Sequence, residues 1–168
     1  YVRWPSQLTQ IQTHVDRWVD LAGEHNWLVQ LRTTPTALSL AHLLTVYDFA
    51  WQHGIAVESC NFLTRPAHLR SSVLPVNYRT KIIADMRQWL DQHPAVGDIV
   101  TNIRNPGVVR EQIVQDLASY ICYLETAPDE SDRLPELVAY LKLLESSRGN
   151  SILTYLPEYE ELFRTAGY

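Results

Sequence analysis

Apolar residues recur at three- and four-residue spacing along most of the chain, and twice that pattern gives way to a short apolar run. Leu8, Ile11, Val15, Trp18, Val19 and Ala22 line one face of a first expected helix, with Ser6 as its N-cap and Gly23 as its stop. The segment from Trp27 to Leu31 reads as a short, largely buried strand, ended by Thr33-Thr34-Pro35 because Pro cannot donate to a central ladder. Ser39 can cap a second helix with an inward face of Leu40, Leu43, Leu44, Tyr47, Ala50 and Trp51, closed by Gly54. A second strand is expected from Ile55 to Leu63, ending at Thr64-Arg65-Pro66. Strand, helix and strand in close succession predict two parallel strands joined by a crossover.

Beyond Pro66 the pattern becomes helical. Pro75 suits the first turn of a third helix whose face is Tyr78, Ile82, Met86, Trp89 and Leu90, and His93-Pro94 ends it. Residues 95–105 read as a connection with a small apolar patch at Ile99 and Val100. Asn105-Pro106 opens a fourth helix with Val109, Ile113, Leu117, Tyr120, Ile121 and Leu124 inward. A fifth runs from Arg133 to Ser146, with Leu134, Leu137, Val138, Leu141 and Leu144 inward, and is broken at Arg148-Gly149-Asn150. A last short helix covers Pro157 to Arg164.

Two parallel strands leave open ladder edges, and parallel sheets occur almost only with more strands and both faces covered. The pattern therefore predicts further strands N-terminal to Tyr1, and the chain, which begins without Met, reads as part of something longer. The expected class is α/β and helix-rich. Residues 1–74 would form the C-terminal part of an α/β barrel, and residues 75–168 a helical extension.

Composition adds limits. The 168 residues carry 14 Lys plus Arg against 19 Asp plus Glu, a net charge of -5, which gives no general attraction for nucleic-acid backbones. No apolar run is long enough to span a membrane. The expected location is cytoplasmic, with Cys60 and Cys122 as two reduced, buried cysteines, 62 positions apart and without metal spacing. The six His show no metal-ligand pattern, and the carboxylates Glu158, Glu160 and Glu161 suit a solvated helix start. No Gly-rich phosphate loop and no Gly-x-Ser-x-Gly turn occurs.

Candidate chemistry follows from topology, because ligands meet parallel sheets and barrels at the C-terminal ends of the strands. Those ends carry Arg32, Thr33 and Thr34 after the first strand, and Asn61, Thr64 and Arg65 after the second. Arg can clamp a carboxylate with two parallel hydrogen bonds, while Thr and Asn can both donate and accept. The plainer alternative is that the Thr residues only build turns and caps.

The stretch Asn61-Phe-Leu-Thr-Arg-Pro-Ala-His-Leu-Arg-Ser-Ser-Val-Leu-Pro-Val-Asn-Tyr-Arg79 resembles the end of the last barrel strand and the following helix in twitch-domain radical S-adenosylmethionine (radical SAM) proteins. Tyr1-Val2-Arg3 before an amphipathic helix is similar to that family's segment between its fourth and fifth strands. Tyr140-Leu-Lys-Leu-Leu-Glu-Ser-Ser-Arg-Gly-Asn150 followed by Leu156-Pro157-Glu158 resembles its closing helices. The resemblance implies a partial (β/α)6 TIM-like barrel, of which this chain holds the last two strands, with an upstream barrel half as its partner.

It further implies S-adenosylmethionine and a [4Fe–4S] cluster as cofactors. In intact members a 5′-deoxyadenosyl radical abstracts hydrogen from substrate. The three cluster cysteines belong near the first strand, and neither Cys60 nor Cys122 matches them, so this chain alone is not expected to be catalytic. By position, Arg32, Thr34 and Asn61 would be cofactor contacts, and Ser39, Thr64 and Arg65 substrate contacts, with a peptide or small metabolite as substrate. Ser39 stands where many relatives carry Asn. The competing expectation is a non-catalytic helical interaction or scaffold module, suggested by five Trp and nine Tyr.

Overall fold

The computed structural model describes residues 8–25, 27–95 and 106–168. The expected N-cap at Ser6, the first three residues and the apolar patch at Ile99 and Val100 lie outside them, as does the side chain of Leu8. Within the described residues the chain is helix-rich, with one two-stranded parallel sheet. Six α-helices are described: α1 Leu8–His25, α2 Leu43–His53, α3 Val76–Gln92, α4 Pro106–Thr126, α5 Leu134–Arg148 and α6 Glu160–Thr165. The strands are β1 Gln30–Arg32 and β2 Ala56–Glu58, in the register Gln30↔Ala56, Leu31↔Val57 and Arg32↔Glu58. Short 3-10 turns at Leu40–His42, Ala67–Leu69, Ser71–Val73, Ser131–Arg133, Ile152–Thr154 and Pro157–Tyr159 fill the connections.

The helix ends follow local chemistry. Gly54 closes α2 and Gly149 closes α5, both in the left-handed conformation at φ 63° and 73°. Gly23 does not stop α1, which continues to His25, where the Trp27 amide then donates back to the Ala22 carbonyl. Pro75 precedes α3 rather than entering it. At the other end of that packing unit, Arg79 is buried and caps α4. Its guanidinium donates to the carbonyls of Leu74, Leu124, Ala127 and Pro128, so carbonyls left over at the helix end are satisfied by a side chain.

Both strands are shorter than the apolar runs that predict them. β2 stops at Glu58 because the next amide, that of Ser59, donates to the Asp116 carboxylate instead of a neighbouring strand. β1 begins only at Gln30; Trp27 and Leu28 before it are exposed rather than buried, at 53% and 72%. β2 is the inner strand, with Ala56 and Val57 fully enclosed, and α4 packs against it. Among the described residues, β1 pairs with β2 alone.

One apolar core runs from Ala37 and Leu38 to Phe163 and crosses the expected boundary between residues 74 and 75. It contains Tyr47 and Ala50 of α2, Met86 and Trp89 of α3, and the whole predicted face of α4 from Val109 to Leu124. Leu134, Leu137, Val138 and Leu141 of α5 join it as predicted. On α3 the buried set turns to Arg79, Ile83, Met86 and Trp89, leaving Tyr78, Ile82 and Leu90 half-buried. The exception is α1, where Ile11 and Trp18 are exposed, although their spacing matches Ala22. Trp51, Trp89 and His93 form an aromatic cluster in which His93 stacks on Trp89 at 4.0 Å and Arg110 covers Trp51 at 4.7 Å. No helix among the described residues is long and apolar enough to cross a membrane.

Candidate functional site at the strand ends

The residues that leave the C-terminal ends of β1 and β2 form a polar network with two helices. Ser59, directly after β2, is fully buried. Its hydroxyl lies 2.8 Å from Thr33 Oγ after β1 and 2.8 Å from the Tyr47 hydroxyl on α2. The Tyr47 hydroxyl donates to Asp116 Oδ2 on α4 at 2.5 Å. The Ser59 amide reaches both Asp116 oxygens at 3.0 Å, and Cys60 Sγ lies 3.7 Å from Oδ1.

Proton accounting fixes one end of this network. A carboxylate only accepts, and a phenol has one hydrogen, so Tyr47 spends its proton on Asp116. The same hydroxyl faces the Ser59 oxygen, and between Thr33 and Ser59 either hydroxyl can donate. Thr33, Ser59, Tyr47 and Asp116 thus form one hydrogen-bonded chain that ends at a carboxylate. Burial, then the bond to Asp116, push the Tyr47 phenol far above its ordinary range, so it stays protonated. Desolvation, then Asp116 and, more weakly, Glu58 raise the Cys60 thiol.

The six expected site residues lie at the end of β1 or in the segments that follow the two strands, in different circumstances. Arg32 ends β1 with its side chain 72% exposed and its Nε 2.9 Å from Glu58, which also accepts from Gln30. Thr34, Asn61, Thr64 and Arg65 are exposed. The Thr64 carbonyl accepts two bonds from Arg70, at 3.1 and 2.7 Å, and Arg70 is in turn paired with Glu130 at 2.8 Å. Ser39 is taken up by a local turn, its Oγ accepting from the Thr36 amide at 2.9 Å. It begins a 3-10 turn without a side-chain cap bond, so the expected cap of the second helix is not made.

Two sequence expectations are corrected at this site. Cys60 and Cys122 are exposed free thiols, not buried ones, because Cys60 emerges from the core just past the enclosed Ser59 and Cys122 faces outward on α4. Tyr47 is more than an apolar face residue, since its buried ring carries the hydroxyl at the network's centre. Asp116 was not legible as a site residue. It is one carboxylate among the polar positions of an amphipathic helix, and only the packing of α4 on β2 brings it to Ser59.

Beside the network, a cleft of about 330 Å³ follows β1. Ile11 and Val15 of α1, Leu31, Thr33, and Val46 and Phe49 of α2 are among its walls. Phe62, after β2, stacks on Tyr123 of α4 at 3.9 Å and remains 41% exposed. No three His, Cys, Asp or Glu side chains converge among the described residues in a way that could hold a metal ion. These residues therefore do not fit an iron–sulfur cluster, while the strand-end loops carry polar groups of the kind a nucleoside or amino-acid ligand needs. Comparison with known proteins yields no matching family model, no matching curated protein and no matching solved structure.

Proposed function

We propose that this chain is the C-terminal portion of a radical SAM enzyme, forming the last two strands of a partial TIM-like barrel and contributing S-adenosylmethionine and substrate contacts. The observation that carries the reading is the parallel β1–β2 pair. Its C-terminal ends gather the polar positions, and β1 has an apolar cleft along it. A parallel strand pair needs neighbours and covered faces to be stable, and upstream strands would supply both. Arg32, Thr34 and Asn61 are the proposed cofactor contacts, and Ser39, Thr64 and Arg65 the proposed substrate contacts. Arg32 uses Nε for Glu58, and a guanidinium has five N–H donors, so donors remain for a carboxylate. S-adenosylmethionine would supply the radical chemistry; the residues of this chain bind and orient. The proposed substrate is a peptide or small metabolite.

The test is anaerobic iron–sulfide reconstitution of the full-length gene product, read by iron content, visible absorption and reductive cleavage of S-adenosylmethionine. Cluster formation with cleavage is the expected result. Failure of both, or a full-length sequence without a cysteine triplet, overturns the reading. Arg32→Ala in that protein should weaken cofactor or substrate binding, and unchanged binding removes Arg32 from the contact set.

A second reading, a non-catalytic interaction module, draws on the exposed Trp18, Trp27 and Leu28. These residues belong to α1 and the approach to β1, the same side that upstream strands would cover. A self-contained module predicts that this chain, purified alone, captures a partner through that surface and that Trp18→Ser abolishes capture. In an incomplete barrel the same substitution instead lowers the stability of the full-length protein.

A further inference from the structure

Four elements meet at Asp116, and each brings a different group. α2 brings the Tyr47 hydroxyl, β2 and its continuation bring the Ser59 amide and the Cys60 thiol, and Thr33 after β1 enters through Ser59. Asp116 itself comes from α4, in the helical part of the chain. Its carboxylate accepts from the Ser59 amide, the Cys60 thiol and the Tyr47 hydroxyl. The last ladder bond of the sheet, from the Thr33 amide to the Glu58 carbonyl at 2.9 Å, lies one residue before this hand-over.

We propose that Asp116 is the positioning residue of the strand-end site, through which α4 fixes the Ser59–Cys60 backbone and holds the Cys60 thiol as a neutral donor at its edge. Its importance for ligand binding rests on the function proposed above; its effect on Cys60 does not. Burial, Asp116 and Glu58 each favour the neutral Cys60 thiol. The thiol meets the Asp116 carboxylate, lies close enough to Glu58 to feel its charge, and neighbours the buried phenols of Tyr47 and Tyr120. A protonated thiol is a poor nucleophile and a competent hydrogen-bond donor. Asp116→Asn keeps the shape of the side chain, removes the negative charge and replaces one acceptor oxygen by a donor nitrogen.

The test measures the iodoacetamide reaction rate at Cys60 against pH, by peptide mass spectrometry, in the chain carrying Cys122→Ser, with and without Asp116→Asn. The expected result is a Cys60 profile displaced to higher pH than that of glutathione. Asp116→Asn should bring it back down and give several-fold faster alkylation near neutral pH. Superimposable profiles for the two proteins overturn the proposal. Should Asp116→Asn fail to fold, as seen by circular dichroism, the unsubstituted site still decides, because a Cys60 profile at or below that of glutathione overturns it alone. In the full-length protein, equilibrium dialysis of S-adenosylmethionine separates the two ideas. Binding that Asp116→Asn weakens supports the positioning role. No binding even without the substitution sinks the radical SAM reading and leaves the thiol result standing.

Discussion

Tyr47 and Asp116 are 69 positions apart in the chain and 2.5 Å apart at their oxygens. That bond joins the crossover helix between the strands to a helix well outside the strand–helix–strand unit, and it does so inside the core, where Tyr47 is fully enclosed. Tyr47→Phe removes the phenolic oxygen and leaves both Asp116 and Ser59 short of a partner. The expected cost is about 1–2 kcal/mol, read as a lower urea midpoint with unchanged slope. Asp116→Ala strands the Tyr47 hydroxyl and the Ser59 amide together and should cost roughly 2–4 kcal/mol. A double variant losing clearly less than the sum of the two would confirm that they act as one unit.

Arg79 makes a second long-range tie. It is 3% exposed and donates only to backbone carbonyls. Arg79→Met keeps much of the apolar stem but abandons four carbonyls, with an expected loss of about 2–4 kcal/mol in chemical denaturation. Arg79→Lys should not restore stability, because one ammonium cannot reproduce the planar fork that spans α4 and the start of α3. Full rescue by Lys would show that charge, not geometry, is what the site needs.

Acid should loosen the strap between the loop after β2 and the start of α5. Glu130 accepts from Ser72 and pairs with Arg70, and these contacts, the Ser72 hydroxyl first, hold its carboxyl below the ordinary value of 4.5. The sign follows from linkage. A carboxyl depressed in the folded state stabilises fully above its unfolded value, and that contribution disappears as pH falls through the folded value. Urea midpoints measured from about pH 6 down to about pH 3 should therefore fall less steeply for Glu130→Gln than for the unsubstituted protein. Parallel curves would remove Glu130 from the acid response.

Gly149 isolates a backbone effect. Its φ of 73° is left-handed, and nothing lies within 4 Å of where a Cβ would be. Gly149→Ala should cost about 1 kcal/mol from conformational strain alone, with no packing penalty. Gly149→Asn should recover part of it, because Asn enters this conformation more readily. Equal losses for both would point to a contact rather than to the dihedral angle.

Periodicity along the chain was enough to place α2, α4 and α5, because their inward faces are continuous and their stops are chemically explicit, as at Gly54 and Gly149. It also gave the parallel order of β1 and β2, since strand, helix and strand in tight succession leave few alternatives. Residues at and after the strand ends could be named as candidates on topology alone; Arg32 is the last residue of β1, and Thr34, Asn61, Thr64 and Arg65 lie in the segments beyond the strands. What spacing cannot carry is which face of a helix meets which neighbour. Ile11 and Trp18 share the period of Ala22 yet remain exposed, because burial depends on a partner surface that the helix itself does not encode. Asp116 looks like any polar residue on a helix until α4 docks on β2, and only then does its carboxylate take the Ser59 amide and end the strand. Hydrogen bonds to side chains distant in sequence are decided by packing, and here packing set both the length of the sheet and the residues that meet at its end.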